Sequence, residues 1–416
     1  MSFRLPFIVS LLIWSIATPS MGRDLFVSVI SVDGETETSG TNSLQALGEL
    51  FDDESLAALF GASYIPGVSA VSALIDLRGV GGLMAYAADS SELVLAVPSA
   101  GFQRTFDGGN RDASEEELQA WLDGNGDQST TDSQGALTTL LQQFVAASPV
   151  DPVAGNPNSL QSRMFDRDLG LGTLGPFMGD FPDASAGIPM LWKVDFDFAY
   201  YESGPYDGQS YDFEFAFAWS PTRRLAVVTD LAMTFSVDEG EALSGLGEFG
   251  LGLQGRISEG WNLSAVTRFG VVGSIDEGAV AGMWSVSLVN HMRFDVGDYE
   301  LEMSNMLGGA SSIDGIRVEG IELDYDLANG VVKNGLTLSR EFSVGGSSRP
   351  LRGRFFFVDT VFFGDELWLE HSDELGLGLG LASKEGSRSY DPAAIDLSWV
   401  FGSNYDAVRL SLSLRY

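Results

Sequence analysis

The residues best placed to do chemistry lie in one short run, Asp123-Gly-Asn125-Gly-Asp127-Gln-Ser129-Thr-Thr131-Asp132. Alternating Asp and Asn side chains in a tight loop bring their oxygens to one point, and hard Ca²⁺ takes six or more oxygen ligands. Asp123, Asn125, Asp127 and Asp132 are the expected ligands, and calcium is the only cofactor the sequence suggests. Two histidines exist, His291 and His371. Ser285 and Ser287 share the strand parity of His291, but no third group orients a Ser/His pair. There is no paired-His metal motif and no phosphate loop. A nucleophile–base–orienter set is therefore missing, and the chain is not expected to be an enzyme.

The Asp123 loop lies between two helical patterns. Ser114–Leu122 (SEEELQAWL) offers Ser114 as a cap with Glu117 three residues on, a capping box, and Leu137–Ala146 is apolar. Helix, Asp-x-Asn-x-Asp loop and helix together resemble a calcium loop of EF-hand type. Gln128 replaces the glycine at loop position six, and Gln134 replaces the bidentate Glu at position twelve. Both changes weaken a site, and a solvated turn between two helices is the competing reading.

Beyond Met190 the hydrophobic period becomes two, the mark of half-buried strands. Trp192, Val194, Phe196, Phe198 and Tyr200 alternate with Lys193, Asp195, Asp197 and Ala199. Trp284, Val286, Leu288, Met292 and Phe294 oppose Ser285, Ser287, His291, Arg293 and Asp295. The pattern continues through 299–308, 315–327, 331–343, 351–363, 366–371, 374–383, 393–401 and 405–416, about fourteen strands in all. Joining 366–371 to 374–383 gives thirteen, and single-chain bacterial barrels need an even count. Twelve is the alternative. The polar face carries both signs, Glu248 and Arg256 or Arg293 and Asp295, which a lumen tolerates and a dry core does not. Trp219, Trp261, Tyr299, Tyr325, Trp399, Tyr405 and Tyr416 fall near strand ends, as interfacial girdles do.

The last twelve residues, YDAVRLSLSLRY, alternate strictly and end on Tyr416. This resembles the closing strand of a bacterial outer-membrane β-barrel, although Phe is the usual final residue. The resemblance implies a periplasmic C-terminus. It places tight turns near Pro221, Glu259, Gly297, Asn329 and Gly364 on the periplasmic side. The longer connections 203–208, 237–245, 273–280, 309–314 and 344–350 then fall outside. The long 384–392 and the short 402–404 break that rule. A second resemblance lies in Gly81-Gly82, Ala85, Ala87-Ala88-Asp89 and Pro98-Ser99-Ala100-Gly101. It is similar to an early segment of the FadL-like group, which includes TraF-like conjugation-associated members, with Val97 where that group has Asn. The resemblance implies hydrophobic substrates. A buried strand–turn–strand packed on glycines is the alternative.

At 416 residues with 44% hydrophobic content and 50 glycines, the chain has room for a barrel and a preceding region. Residues 1–22 read as a secretory signal, with Arg4, the apolar Phe7–Ala17 and a Ser20-Met21-Gly22 cleavage site. No later run reaches the roughly 18 apolar residues of a spanning helix. Without cysteine there are no disulfides, no thiolate ligands and no lipidated cysteine. A formal charge of −35 repels nucleic acid.

The expected organisation is mainly β. Residues 1–22 are the signal, 23–189 a mixed helical plug or periplasmic region, and 190–416 a transmembrane antiparallel barrel in outer-membrane lipid. Ser148–Pro189 reads as a connecting segment lying partly inside or below the barrel. Two functions follow. One is passage of a small solute, hydrophobic as the FadL-like resemblance implies, favoured by an apolar internal cavity with a lateral gap or strand kink. The other is a structural or interaction protein whose 43–146 region binds a periplasmic partner. A solid charged lumen and an exposed apolar patch on 43–146 favour the second.

Overall fold

The twofold hydrophobic period closes on itself. In the computed structural model, strands from 190 to 415 form one antiparallel barrel. The structure describes residues 24, 26–41, 52–98, 102–122, 142, 144–174, 190–222, 224–239, 242–274, 279–313, 317–318, 321–322, 326–343, 349–382 and 391–415. The expected signal at 1–22, the Asp123–Asp132 loop, Tyr325 and Tyr416 lie outside the described residues.

The chain first builds a six-stranded sheet from β1 (Phe26–Val32), β2 (Glu35–Thr41), β3 (Val71–Leu77), β4 (Val80–Tyr86), β5 (Leu93–Val97) and β6 (Phe102–Phe106), in the order β2-β1-β3-β4-β5-β6. Two hairpins turn on Asp33-Gly34 and Arg78-Gly79, all at positive φ, the geometry that matches the strand twist. Helices α1 (Asp53–Phe60) and α2 (Arg111–Leu122) cover one face of the sheet. Asp52 caps α1 by accepting from Ser55 N at 2.5 Å. The cap of α2 differs from the sequence expectation. Asn110 Oδ1 accepts from Ala113 N at 3.0 Å, so the helix starts a turn earlier. Ser114 lies within it and donates to Ser91 O at 2.7 Å. The stretch with FadL-like spacing, where described, is β4 and β5 of this sheet, with open space beside Gly81.

A third helix, α3 (Leu160–Thr173), precedes the barrel strands β7 (Met190–Ser203), β8 (Tyr206–Thr222), β9 (Leu225–Asp238), β10 (Ala242–Ser258), β11 (Trp261–Ser274), β12 (Ala279–Val296) and β13 (Tyr299–Ile313). A two-strand hairpin follows, β14 (Arg317–Val318) and β15 (Ile321–Glu322). The barrel then continues with β16 (Ala328–Phe342), β17 (Leu351–Gly364), β18 (His371–Leu381), β19 (Ala393–Gly402) and β20 (Tyr405–Arg415). Strand β20 pairs with β7 from Tyr405↔Ser203 to Arg415↔Lys193, which closes a ring of twelve.

Twelve replaces fourteen for two physical reasons. Strand β13 pairs directly with β16, so the β14–β15 hairpin lies outside the ring. The alternation of 366–371 belongs to a loop. Leu367 and Leu369 are buried in clusters at the mouth of the barrel, while Trp368 N and Leu369 N donate to Ala146 O and Gly155 O at 2.7 and 3.0 Å. Asn329 and Gly364 consequently lie within β16 and at the end of β17, not in turns on the C-terminal side, and 344–350 moves to that side. Tyr405 is also not a girdle residue. It is buried and accepts from Asn158 Nδ2 at 2.9 Å.

Along each barrel strand exposure alternates. Phe213, Leu231, Phe249, Val286, Leu377 and Leu397 point outward, while Ala216, Val228, Val266 and Met306 point in. The six-stranded sheet sits on the mouth formed by the 204–205 and 239–241 turns. Tyr206 and Ala242 of the barrel belong to its core cluster. Ser148 Oγ donates to Arg78 O at 2.8 Å, and the Arg78 guanidinium pairs with Asp151 at 2.8 Å.

Candidate functional site

The segment expected to be a bare connection holds the centre of the molecule. Helix α3 lies inside the lumen with Leu160, Met164, Phe165, Asp168 and Leu171 fully buried. Ser159 caps its N-terminus, and Gln161 Nε2 donates to Asn329 at 2.8 Å near the mouth. At the other end, helix carbonyls that lack partners within α3 are met by the wall. Gln254 Nε2 donates to Leu171 O at 2.8 Å and to Gly172 O at 3.0 Å. Ser264 Oγ donates to Gly172 O at 2.8 Å. The helix approaches so closely that a Cβ on Gly172 would stand 2.5 Å from the Val289 side chain.

One side of α3 is bound by charge. Arg163 pairs with Asp212 and donates to Ser210 Oγ at 2.8 Å. Arg167, one turn later, donates to Asp212 and Thr234, each at 2.7 Å, and pairs with Glu248. Asp168 accepts from Arg268 Nε at 2.8 Å and from the hydroxyls of Ser285 and Ser287 at 2.9 and 2.7 Å. Arg268 also reaches Asp230 at 2.7 Å. Wall glycines leave the space: a Cβ on Gly250 would collide with Asp230 and Arg268. Opposite, Lys333 pairs with Asp166, and Phe165 packs in an apolar cluster with Met306, Val331 and Phe362. A cavity of about 20 Å³ lies beside Asp166, Lys333 and Arg409, room for a single water.

Ser285 and Ser287 thus serve Asp168 and not His291, whose Nε2 lies 3.7 Å from Glu302. Glu248 and Arg256 share a face without pairing. Arg293 faces Glu300 at 3.7 Å. The lumen-binding residues Arg163, Arg167 and Asp168 went unread in the sequence. Their one signal was a charged SRMFDRD run inside a Pro- and Gly-rich segment.

No protein-family model matches this chain, and no curated protein does. Solved structures similar to it include the β domain of the Bordetella autotransporter BrkA (TM-score 0.41, 16% identity, 55% of this chain and 98% of that one). The translocator domain of the autotransporter NalP from Neisseria meningitidis gives 0.41 and 14%, over 62% and 95%. An outer membrane channel from Pseudomonas putida F1 gives 0.35 and 10%, over 57% and 100%.

Proposed function

We propose that this protein is an outer-membrane barrel whose lumen takes in its own chain and holds it, so that the six-stranded sheet is displayed at the mouth opposite the C-terminus. The observation that carries this reading is the path of α3. It begins beside the sheet and ends near Gln254 and Ser264, and the chain then starts β7 at the end of the barrel remote from the sheet. The exterior supports the membrane placement. Outward rows such as Phe215–Leu231–Phe249–Phe269–Trp284 are apolar across five paired strands, the band a lipid-facing barrel needs.

The two functions expected from sequence separate here. Charged residues of the wall grip one side of α3, and every neighbouring strand pair around the ring is hydrogen-bonded, which leaves no lateral gap among the described residues. On the other side of the helix Asp166, Leu169 and Gly170 are only half-buried. The sheet, in contrast, offers a surface. On its uncovered face Val29, Leu74, Leu83 and Ala96 stand opposite one another in one row, with Leu74 63% exposed. With the C-terminus periplasmic, this face looks out of the cell, so its partner is extracellular.

A single cysteine tests the reading, since the chain has none. Glu37→Cys on the exposed edge strand β2 should react with a membrane-impermeant maleimide on intact cells. Labelling only after the outer membrane is broken would place the sheet in the periplasm and overturn it.

A further inference from the structure

The lipid-facing wall carries a feature that neither the plug nor the sheet uses. Asn290, Asn305, Asn334, Asp359 and Asp373 stand directly opposite one another on β12, β13, β16, β17 and β18. All five point outward. They are joined in one direction. Trp261 Nε1 donates to Asn290 Oδ1 at 2.6 Å, Asn290 Nδ2 to Asn305 at 3.4 Å, Asn305 Nδ2 to Asn334 at 2.9 Å, and Asn334 Nδ2 to Asp359 at 3.1 Å. His371 Nε2 closes the chain on Asp359 at 3.0 Å.

The row runs obliquely from Trp261 at the start of β11 to His371 at the start of β18, and its middle lies inside the apolar band. On β13, Asn305 is flanked outward by Met303 and Leu307. On β17, Asp359 has Phe355 and Phe357 to one side and Val361 and Phe363 to the other. Each Asn amide has two N–H groups and two acceptor lone pairs, and the ladder uses one of each. The remainder faces hydrocarbon, where unmet polar groups are costly and where amides act as glue between transmembrane elements.

We infer that this row is the self-association surface of the barrel, and that its occupant is the same row of a second copy. The amides supply the reason. A free donor and a free acceptor on every Asn make the row complementary to itself, which an isologous twofold contact requires. Trp261 caps the Asn290 end, and at the other end His371 Nε2 lies 3.0 Å from Asp359 and 3.8 Å from Asp373. Barrel strands tilt against the axis, so a cross-strand row runs obliquely around the wall. A copy related by a twofold along the axis brings its row across this one, and two convex walls meet where the rows cross. That crossing is the middle of the row, Asn305 and Asn334.

Cysteine cross-linking in native outer membranes tests this. Asn305→Cys and Asn334→Cys, oxidised with copper phenanthroline, should each give a disulfide-linked dimer, and Leu251→Cys on the far wall should not. Asn305→Leu should weaken self-association in detergent about three- to twentyfold, while heat-modifiable gel mobility shows that the variant still folds. Equal cross-linking from Leu251→Cys, no dimer from either Asn position, or an adduct with a different protein would each overturn the inference.

Discussion

The two walls of this barrel differ most on their outer faces. From β8 to β12 the outside is apolar, with Phe215, Leu231, Phe249, Phe269 and Trp284 in one row, and the inside is ionic, with Asp212, Asp230, Glu248 and Arg268 around α3. From β12 to β18 the outside carries the amide row, and the inside packs Met306, Val331 and Phe362 against Phe165 beside the ion pairs Lys333–Asp166, Arg293–Glu300 and Arg354–Asp396. Charged groups inside the first wall are ion-paired within the chain, although Asp230 Oδ1, Glu248 Oε2 and Arg268 Nη1 make no hydrogen bond. The amides outside the second are only half satisfied. The lesson is that a polar residue in a barrel strand has no meaning until its face and its partners are known.

The strongest way to break the contrast is to attack the ionic wall from within. Arg268→Met leaves Asp168, Asp230 and Glu248 buried without their shared cation, and removing one member of such a network costs about 3–5 kcal/mol. The urea midpoint for loss of heat-modifiable mobility should fall accordingly. A smaller effect is expected from giving the apolar wall an outward charge. Phe249→Arg near the middle of the band should cost about 2–4 kcal/mol in lipid, whereas Asn305→Leu on the other wall should leave the monomer as stable or more so. Equal losses from the two would end the distinction between the walls.

The smallest effect lies outside both walls and isolates the sheet. Burial, with the charges of Asp52, Asp112 and Asp53, pushes the Glu115 carboxyl up to about 7. The folded domain therefore holds a proton that the unfolded chain releases above about 4.5. The stabilisation is complete below that pH and lost as pH rises through about 7. Thermal unfolding of the sheet should show this decline, and Glu115→Gln should flatten it while barrel mobility stays unchanged.

How much of this could be read in the sequence depended on whether a residue had two different sides. Strands such as Trp192–Tyr200 face lipid on one side and lumen on the other, so their period survived in the sequence and revealed the barrel. Helix α3 has no such contrast. Leu160, Gln161, Arg163, Asp168 and Leu171 are all buried, while Asp166, Leu169 and Gly170 are half-buried, so polar and apolar residues share both environments and no apolar stripe marks the helix. The 366–371 loop erred in the opposite way, since Leu367 and Leu369 alternate inward without a strand ladder. The outward parity of Asn290 follows from the Trp284–Phe294 alternation, but its alignment with Asn305 and Asn334 is a matter of register, which spacing along one strand does not contain.

The shared core at the mouth has a consequence for the order in which the molecule can be made. Residues 26–122 leave the ribosome before Tyr206 and Ala242, which belong to the same core and arrive only with β8 and β10. The core of the sheet is thus finished only when strands that come later in the chain are in place.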